Sequence, residues 1–389
     1  MILSQISYLD CIVFLIFLAP QLIINVGLFE LASWVFFALP DLAAHIPCQF
    51  IAERYFTDFE HRSPFVQRAS PFQDFVIRYV RFAFAELPAK IGRVFFSKPV
   101  ALPFLRWRML RHGYISSPIR WQEVNRQDFK GVWVTMDETT RPDIVVFYCH
   151  GGGFSMGSSY FYMEFLLAWV ALLKEAGYKN PALFGLEYTL VPDAVYPTQI
   201  QQAFAAYEHV LTVIEDPSRL VVGGDSAGAT LILSLLLYLA DHPRHRGRLP
   251  ALATMISPWV TIVSDKNQNT RSDYLNADSL HLYGRQYVGS KISTHDPMVS
   301  PGNCRDPDRW LAASPRLGWS FLFGSEEVLG PETKDLIALL QKAGADVDVY
   351  EEEGSIHAWP VATLYLGESG EERLKGLQDI VKVIRRRLV

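Results

Sequence analysis

The sequence predicts an α/β fold, a mostly parallel sheet with helices on both faces. Short apolar runs of strand length recur at 144–149, 220–222, 253–256 and 320–323, as expected for parallel strands covered on both sides. Segments with helical spacing alternate with them, clearest at Phe161–Ala176, Ile200–Ile214, Ala227–Leu239 and Gly370–Leu388, and strand–helix alternation implies parallel crossovers. Two of the runs end in glycine-rich loops, His150-Gly151-Gly152-Gly153 and Gly224-Asp225-Ser226-Ala227-Gly228. A parallel sheet brings such loops out at one edge, where sites are built. Half of the 389 residues are hydrophobic, so a large core is available to residues 131–389 as one domain.

The chain begins with a different kind of segment. Cys11 to Phe29 is nineteen residues without a charge, and after Glu30 the apolar run resumes from Leu31 to Leu39. About 20 apolar residues can cross a bilayer. Met1 to Asp10 has no Lys or Arg, unlike the basic start of a cleaved signal peptide. Residues 1–46 therefore read as a retained single-pass membrane anchor, the alternative being a helical pair lying in the membrane or over the substrate mouth. Between residues 46 and 120, twelve Lys and Arg face five Asp and Glu. The positive-inside tendency then sets the following domain in the cytosol. Residues 47–130 are rich in aromatics and arginines and are broken by prolines, which predicts short helices forming a linker and the first part of a cap. A second part is expected from the polar connection at about 264–311.

The chemistry is concentrated in the two glycine loops. Leu220-Val221-Val222 runs into Gly223, Gly224, Asp225 and Ser226, then into a helix-forming stretch. A strand turning this sharply into a helix lifts the serine above the sheet, and glycines two before and two after it make room for the turn. The helix start directs free amides at the reacting centre. The loop after 144–149 opens at the same edge, so the N–H groups of Gly151 and Gly152, with that of Ala227, read as an oxyanion hole.

A serine nucleophile needs a histidine base and a carboxylate to orient it, and in this fold type both follow the serine in the chain. Beyond Ser226 stand His242, His245, His281, His295 and His357. The first two end the nucleophile helix, and the next two fall in the long polar connection. His357 follows Val347-Asp348-Val349-Tyr350-Glu351, whose alternation fits a late edge strand, and it is the expected base. For the acid, the strand Ser320-Phe321-Leu322-Phe323 runs into Gly324-Ser325-Glu326-Glu327-Val328-Leu329. Glu327 is preferred because Leu329 would anchor the loop in the core, and Glu326 stays open as its neighbour. Phe154, Trp359 and the cap aromatics suggest an apolar substrate.

The remaining composition narrows the partners. Net charge is −5, and no basic, aromatic-interleaved module suggests nucleic acid. Cys11, Cys48, Cys149 and Cys304 show neither paired nor metal-binding spacing. No metal site is expected from them.

With His-Gly-Gly-Gly, Gly-Asp-Ser-Ala-Gly and, between them, Tyr188-Thr189-Leu190-Val191-Pro192 followed by Tyr196-Pro197, the chain resembles the hormone-sensitive lipase branch of the α/β-hydrolases over roughly residues 144–389. The segment Asp296 to Pro301 is similar to that family's Ser-Pro stretch near the cap return. The resemblance implies an α/β-hydrolase fold with a helical cap and a serine hydrolase cleaving carboxylic esters of small or lipid-like molecules through an acyl-enzyme, with no cofactor. It carries the nucleophile onto Ser226, the base onto His357, the acid onto Glu327 and the oxyanion donors onto Gly151, Gly152 and Ala227. Family habit also suggests the endoplasmic reticulum. Two departures stand out, Glu327-Val328-Leu329 for the usual Asp-Pro-Leu and Ala358-Trp359 for the usual Gly-Phe. Acyl transfer, amide hydrolysis and a binding-only role remain the alternatives.

Overall fold

The computed structural model describes residues 2–388. An eight-stranded sheet in the order β1-β2-β4-β3-β5-β6-β7-β8 forms its centre. The strands are β1 (Arg120–Asn125), β2 (Lys130–Thr135), β3 (Ile144–Cys149), β4 (Pro181–Glu187), β5 (Leu220–Asp225), β6 (Leu252–Ile256), β7 (Trp319–Gly324) and β8 (Val347–Glu352). From β4 across to β8 every neighbouring pair is parallel, while β2 is antiparallel to both β1 and β4. Strands β3, β5, β6 and β7 are buried at every residue, which is why they read as continuous apolar runs. Their side chains still alternate. Val145, Phe147 and Cys149 enter one core, Ile144, Val146 and Tyr148 the other.

Helices α9 (Thr198–Ile214), α10 (Ala227–Asp241) and α13 (Gly330–Lys342) cover the first face. Helices α8 (Met163–Glu175) and α15 (Gly370–Leu388) cover the second. Segment 264–311 contributes α11 (Ala277–Val288) and the start of α12 (Pro307–Ala313), and α14 (Trp359–Leu366) follows the last strand.

Seven helices precede the sheet: α1 (Tyr8–Asn25), α2 (Leu28–Pro40), α3 (Ile46–Tyr55), α4 (Pro64–Arg68), α5 (Pro71–Glu86), α6 (Ala89–Phe95) and α7 (Lys98–Arg111). A π-helical turn at Asp41–His45 joins α2 to α3, so one helical path of 28 residues crosses the expected boundary at residue 46. By length and composition α1 and the α2–α3 path could each cross a membrane. In the structure both lie along the body. Helix α1 runs antiparallel over α7 and α6: Asp10 pairs with Arg108 at 3.3 Å, Phe14 packs on Phe104 and Phe95, and the Lys90 ammonium reaches Glu30 just past the turn at 2.6 Å. The α2–α3 path runs antiparallel along α5 through Trp34 on Phe82, the Tyr79 hydroxyl on the Leu42 carbonyl, Phe50 on Phe75, and Arg78 on Glu53 at 2.8 Å.

The pairing at the foot of α1 is fully buried. Arg108 donates to both Glu164 oxygens at 2.9 Å, to Asp10 and to the Ser4 carbonyl at 2.6 Å. A buried guanidinium needs this many acceptors, because leaving it unpaired out of water is very costly.

Candidate active site

The carboxyl ends of β3, β5, β6, β7 and β8 share one edge, and each opens into a loop that carries part of the site. Ser226 sits between β5 and α10 at φ 51° and ψ −121°, a backbone conformation that non-glycine residues adopt only where the surroundings enforce it. Here the enforcement is visible. Its N–H donates to the Ile256 carbonyl at 3.0 Å, and its carbonyl accepts from the N–H groups of Trp259 and Thr230, both at 3.2 Å. The elbow presses against the end of β3: a Cβ on Gly228 would lie 2.0 Å from the Cys149 carbonyl oxygen, and one on Gly224 would lie 2.6 Å from the carbonyl carbon of Gly228. Both contacts are with backbone, so neither position accepts a side chain without moving the nucleophile.

Asp225, beside the serine, ties the two motifs together. Its buried carboxylate accepts from the Tyr148 hydroxyl at 2.7 Å, the Tyr162 hydroxyl at 2.6 Å and the Gly151 N–H at 2.8 Å. The Gly151 N–H, expected as an oxyanion donor, is engaged by Asp225 in this structure and ties the loop to the elbow. Among the described residues no acceptor engages the N–H groups of Gly152, Gly153 or Ala227. Gly152 has φ 114°, and a Cβ there would lie 2.1 Å from the Met156 carbonyl oxygen. His150 stacks on Tyr188 with ring centres 4.4 Å apart, and burial drives its pKa down to about 4, so it stays neutral in the loop's support.

Glu327 and His357 come together, with Glu327 Oε2 at 3.3 Å from His357 Nδ1. The other carboxylate oxygen accepts from the Ser257 hydroxyl at 2.5 Å and the Gly324 N–H at 2.6 Å. Glu326 turns instead toward segment 264–311, accepting from the Ser272 hydroxyl at 2.9 Å. Burial pulls the His357 pKa down, but the hydrogen bond and charge of Glu327, with the charges of Asp273 and Asp225, outweigh it and leave the pKa above the usual imidazole value. His242, His245 and His281 bond or pack elsewhere.

Two supports were not legible in the sequence. Ser257, held at φ 44° after β6, donates to Glu327 and accepts the Ala358 N–H at 2.9 Å. Asp273, from segment 264–311, accepts the His357 N–H at 3.0 Å and the Val328 N–H at 2.9 Å. Burial pushes its carboxyl up to about 6, against the pull of His357 and with the repulsion of Glu327. Asp273 thus clamps the acid and base loops from a part of the chain that sequence reasoning assigned only to a cap.

The site is covered. Ser226 is 5% exposed and His357 2%. Tyr283 of α11 lies over Gly153, and Tyr287 stacks on Phe154 at 3.7 Å between ring centres. Trp359, expected near the substrate, packs in the opposite core with Lys375 over its ring, because the left-handed Ala358 turns the chain away after His357.

Proteins of known activity share much of this chain. An acetyl-hydrolase of Streptomyces hygroscopicus is 30% identical over 216 residues, 54% of this chain and 67% of that protein. Steryl acetyl hydrolase 1 of Saccharomyces cerevisiae is 28% identical over 221 residues, and the match spans about half of its length (50%). The crystal structure of an esterase from the bacterial hormone-sensitive lipase family superposes with a TM-score of 0.63 at 25% identity, covering 82% of this chain and 99% of that one. Fold and relatives together define a carboxylic ester hydrolase of the serine type. Residues 146–361 match the family described as alpha/beta hydrolase fold, and the chain belongs to that family, in its hormone-sensitive-lipase-like branch.

Proposed function

We propose that Ser226 is the nucleophile, His357 its general base and Glu327 the carboxylate that orients the base, with Gly152, Gly153 and Ala227 donating to the oxyanion. In this reading Ser226 Oγ attacks the ester carbonyl as its proton passes to His357. The tetrahedral oxyanion is held by the backbone N–H groups, each worth about 3–4 kcal/mol of transition-state stabilisation. His357 then protonates the departing alcohol, and water attacks the acyl-enzyme to release the acid. The observation that carries the reading is the Glu327–His357 pair at 3.3 Å, at the sheet edge where Ser226 occupies a strained elbow.

For the substrate we propose a short-acyl ester, an acetate first, of an apolar alcohol. The names of the relatives in Streptomyces and yeast support the acetyl group, and the aromatic cover of Phe154, Tyr283 and Tyr287 supports an apolar alcohol. The apolar helices α1 to α3 support attachment to a membrane as part of the same reading.

The test is labelling with a fluorophosphonate and peptide mapping of the adduct. Ser226 should carry the label, and Ser226→Ala should lower kcat toward acetate esters by about four to six orders of magnitude. A folded Ser226→Ala protein with undiminished turnover would overturn the assignment.

A further inference from the structure

We infer that α1, α2 and α3 form a platform lying in the plane of one leaflet of a lipid bilayer, with the substrate mouth beside it; this rests on the membrane attachment proposed above. Seventeen of the twenty-three exposed large apolar residues among the described residues fall between Tyr8 and Phe59, so the exposed apolar surface is concentrated on these helices. Within residues 11–40 the only charged side chain is Glu30, and Lys90 neutralises it at 2.6 Å. Phe29, Phe36 and Phe37 are 89%, 72% and 75% exposed. A second protein copy would need polar groups to match across the contact, and over residues 11–40 the exposed ones are only Asn25, Ser33 and the neutralised Glu30, while Asp41, His45 and Gln49 begin a polar rim beyond them. Hydrocarbon needs none.

The packing decides the orientation. A helix of 18 residues is about 27 Å long and could span a bilayer. Yet α1 is held from Asp10 at one end to Glu30 just past the other, and α2–α3 from Trp34 to Glu53 along α5. Neither can stand across a membrane without stripping these contacts, including a buried arginine. Lying flat, their outer faces would sink about 5–10 Å into the headgroup–acyl boundary.

The platform also adjoins the reaction centre. Helix α5, which carries α2–α3 on one side, donates from Arg81 to the carbonyls of Arg271, Ser272 and Asp273 on another. Phe84 of α5 packs on Tyr274, whose ring lies 5.8 Å from that of His357. One helix therefore separates the apolar face from the segment that packs on the base, which sets the leaflet one helix away from the reaction centre.

The experiment uses the full chain and phosphatidylcholine vesicles. Wild-type protein should float with the vesicles, and the triple variant Phe29→Asp/Phe36→Asp/Phe37→Asp should bind them at least about a hundredfold more weakly while hydrolysing soluble p-nitrophenyl acetate at the wild-type rate. Spin labels placed at Ile16→Cys, Ile24→Cys and Phe36→Cys, with Cys11 and Cys48 changed to Ser, should report similar shallow depths. A depth gradient through the bilayer midplane would overturn the in-plane arrangement while leaving attachment intact. Failure of the wild type to float, or a dimer that the triple variant abolishes, would overturn both. Ester hydrolysis is read separately in every arm, so loss of the enzymatic reading is distinguishable.

Discussion

At the scale of single residues, the two adjacent glutamates separate cleanly. Glu327→Gln keeps the shape but removes the charge that stabilises an imidazolium at His357, and kcat should fall about 10³- to 10⁴-fold. Glu326→Gln should leave kcat nearly unchanged, since that carboxylate holds Ser272; steady-state kinetics on one acetate ester checks both. Asp273 makes a subtler prediction. His357 must be neutral to accept the serine proton, so activity falls as pH drops through its raised pKa. Asp273→Asn removes one of the charges that raise it, so the acid limb of the kcat/KM profile should move to lower pH, and loss of one loop acceptor should cost about 10- to 100-fold at the optimum. An unmoved acid limb would mean that Asp273 only holds the loops. Ser226 and His357, the proposed nucleophile and base, stand out in the sequence because motif spacing and chain order leave few candidates. Asp273 and Ser257 could not, since each acts through contacts with loops 84 and 101 residues away in the chain. The Gly151 N–H differs from the sequence reading because the motif shows which amides are free of side chains, not that the Asp225 carboxylate engages one of them.

At the scale of elements, legibility followed burial. Strands β3, β5, β6 and β7 are covered on both faces and could be read as apolar runs, and the helices seen in the sequence agree with the structure within a few residues. Strand β1, Arg-Trp-Gln-Glu-Val-Asn, is an exposed edge and carries no such run. The antiparallel turn of β2 rests on pairing with β4, which no local pattern announces. Helix α1 was legible as apolar but not as docked, because its anchor is a buried network with Glu164 of α8. Arg108→Met should strip the shared cation from Asp10 and Glu164 and destabilise the protein by about 3–5 kcal/mol, measurable as a lower urea midpoint at unchanged slope. A midpoint within error of wild type would mean that the network contributes no net stability.

At the scale of the whole molecule, three layers are stacked in sequence order: an apolar platform, a bridging helix α5, and a sheet whose loops hold the chemistry. Segment 264–311 closes over that sheet edge and also supplies Asp273, so the cover and the catalytic loops share a stretch of chain. The burial of Ser226, 5% exposed beside a glycine loop that Tyr283 and Tyr287 cover, has a kinetic consequence. If an ester must wait for this cover to part, the encounter rather than bond breaking governs capture, and the enzyme is indifferent to how good a leaving group it is offered. Across a series of substituted phenyl acetates, kcat/KM should then be flat against the acidity of the phenol and should fall as solvent viscosity rises. A steep dependence on phenol acidity would instead make acyl transfer at Ser226 the slow event, with the aromatic cover opening faster than the chemistry beneath it.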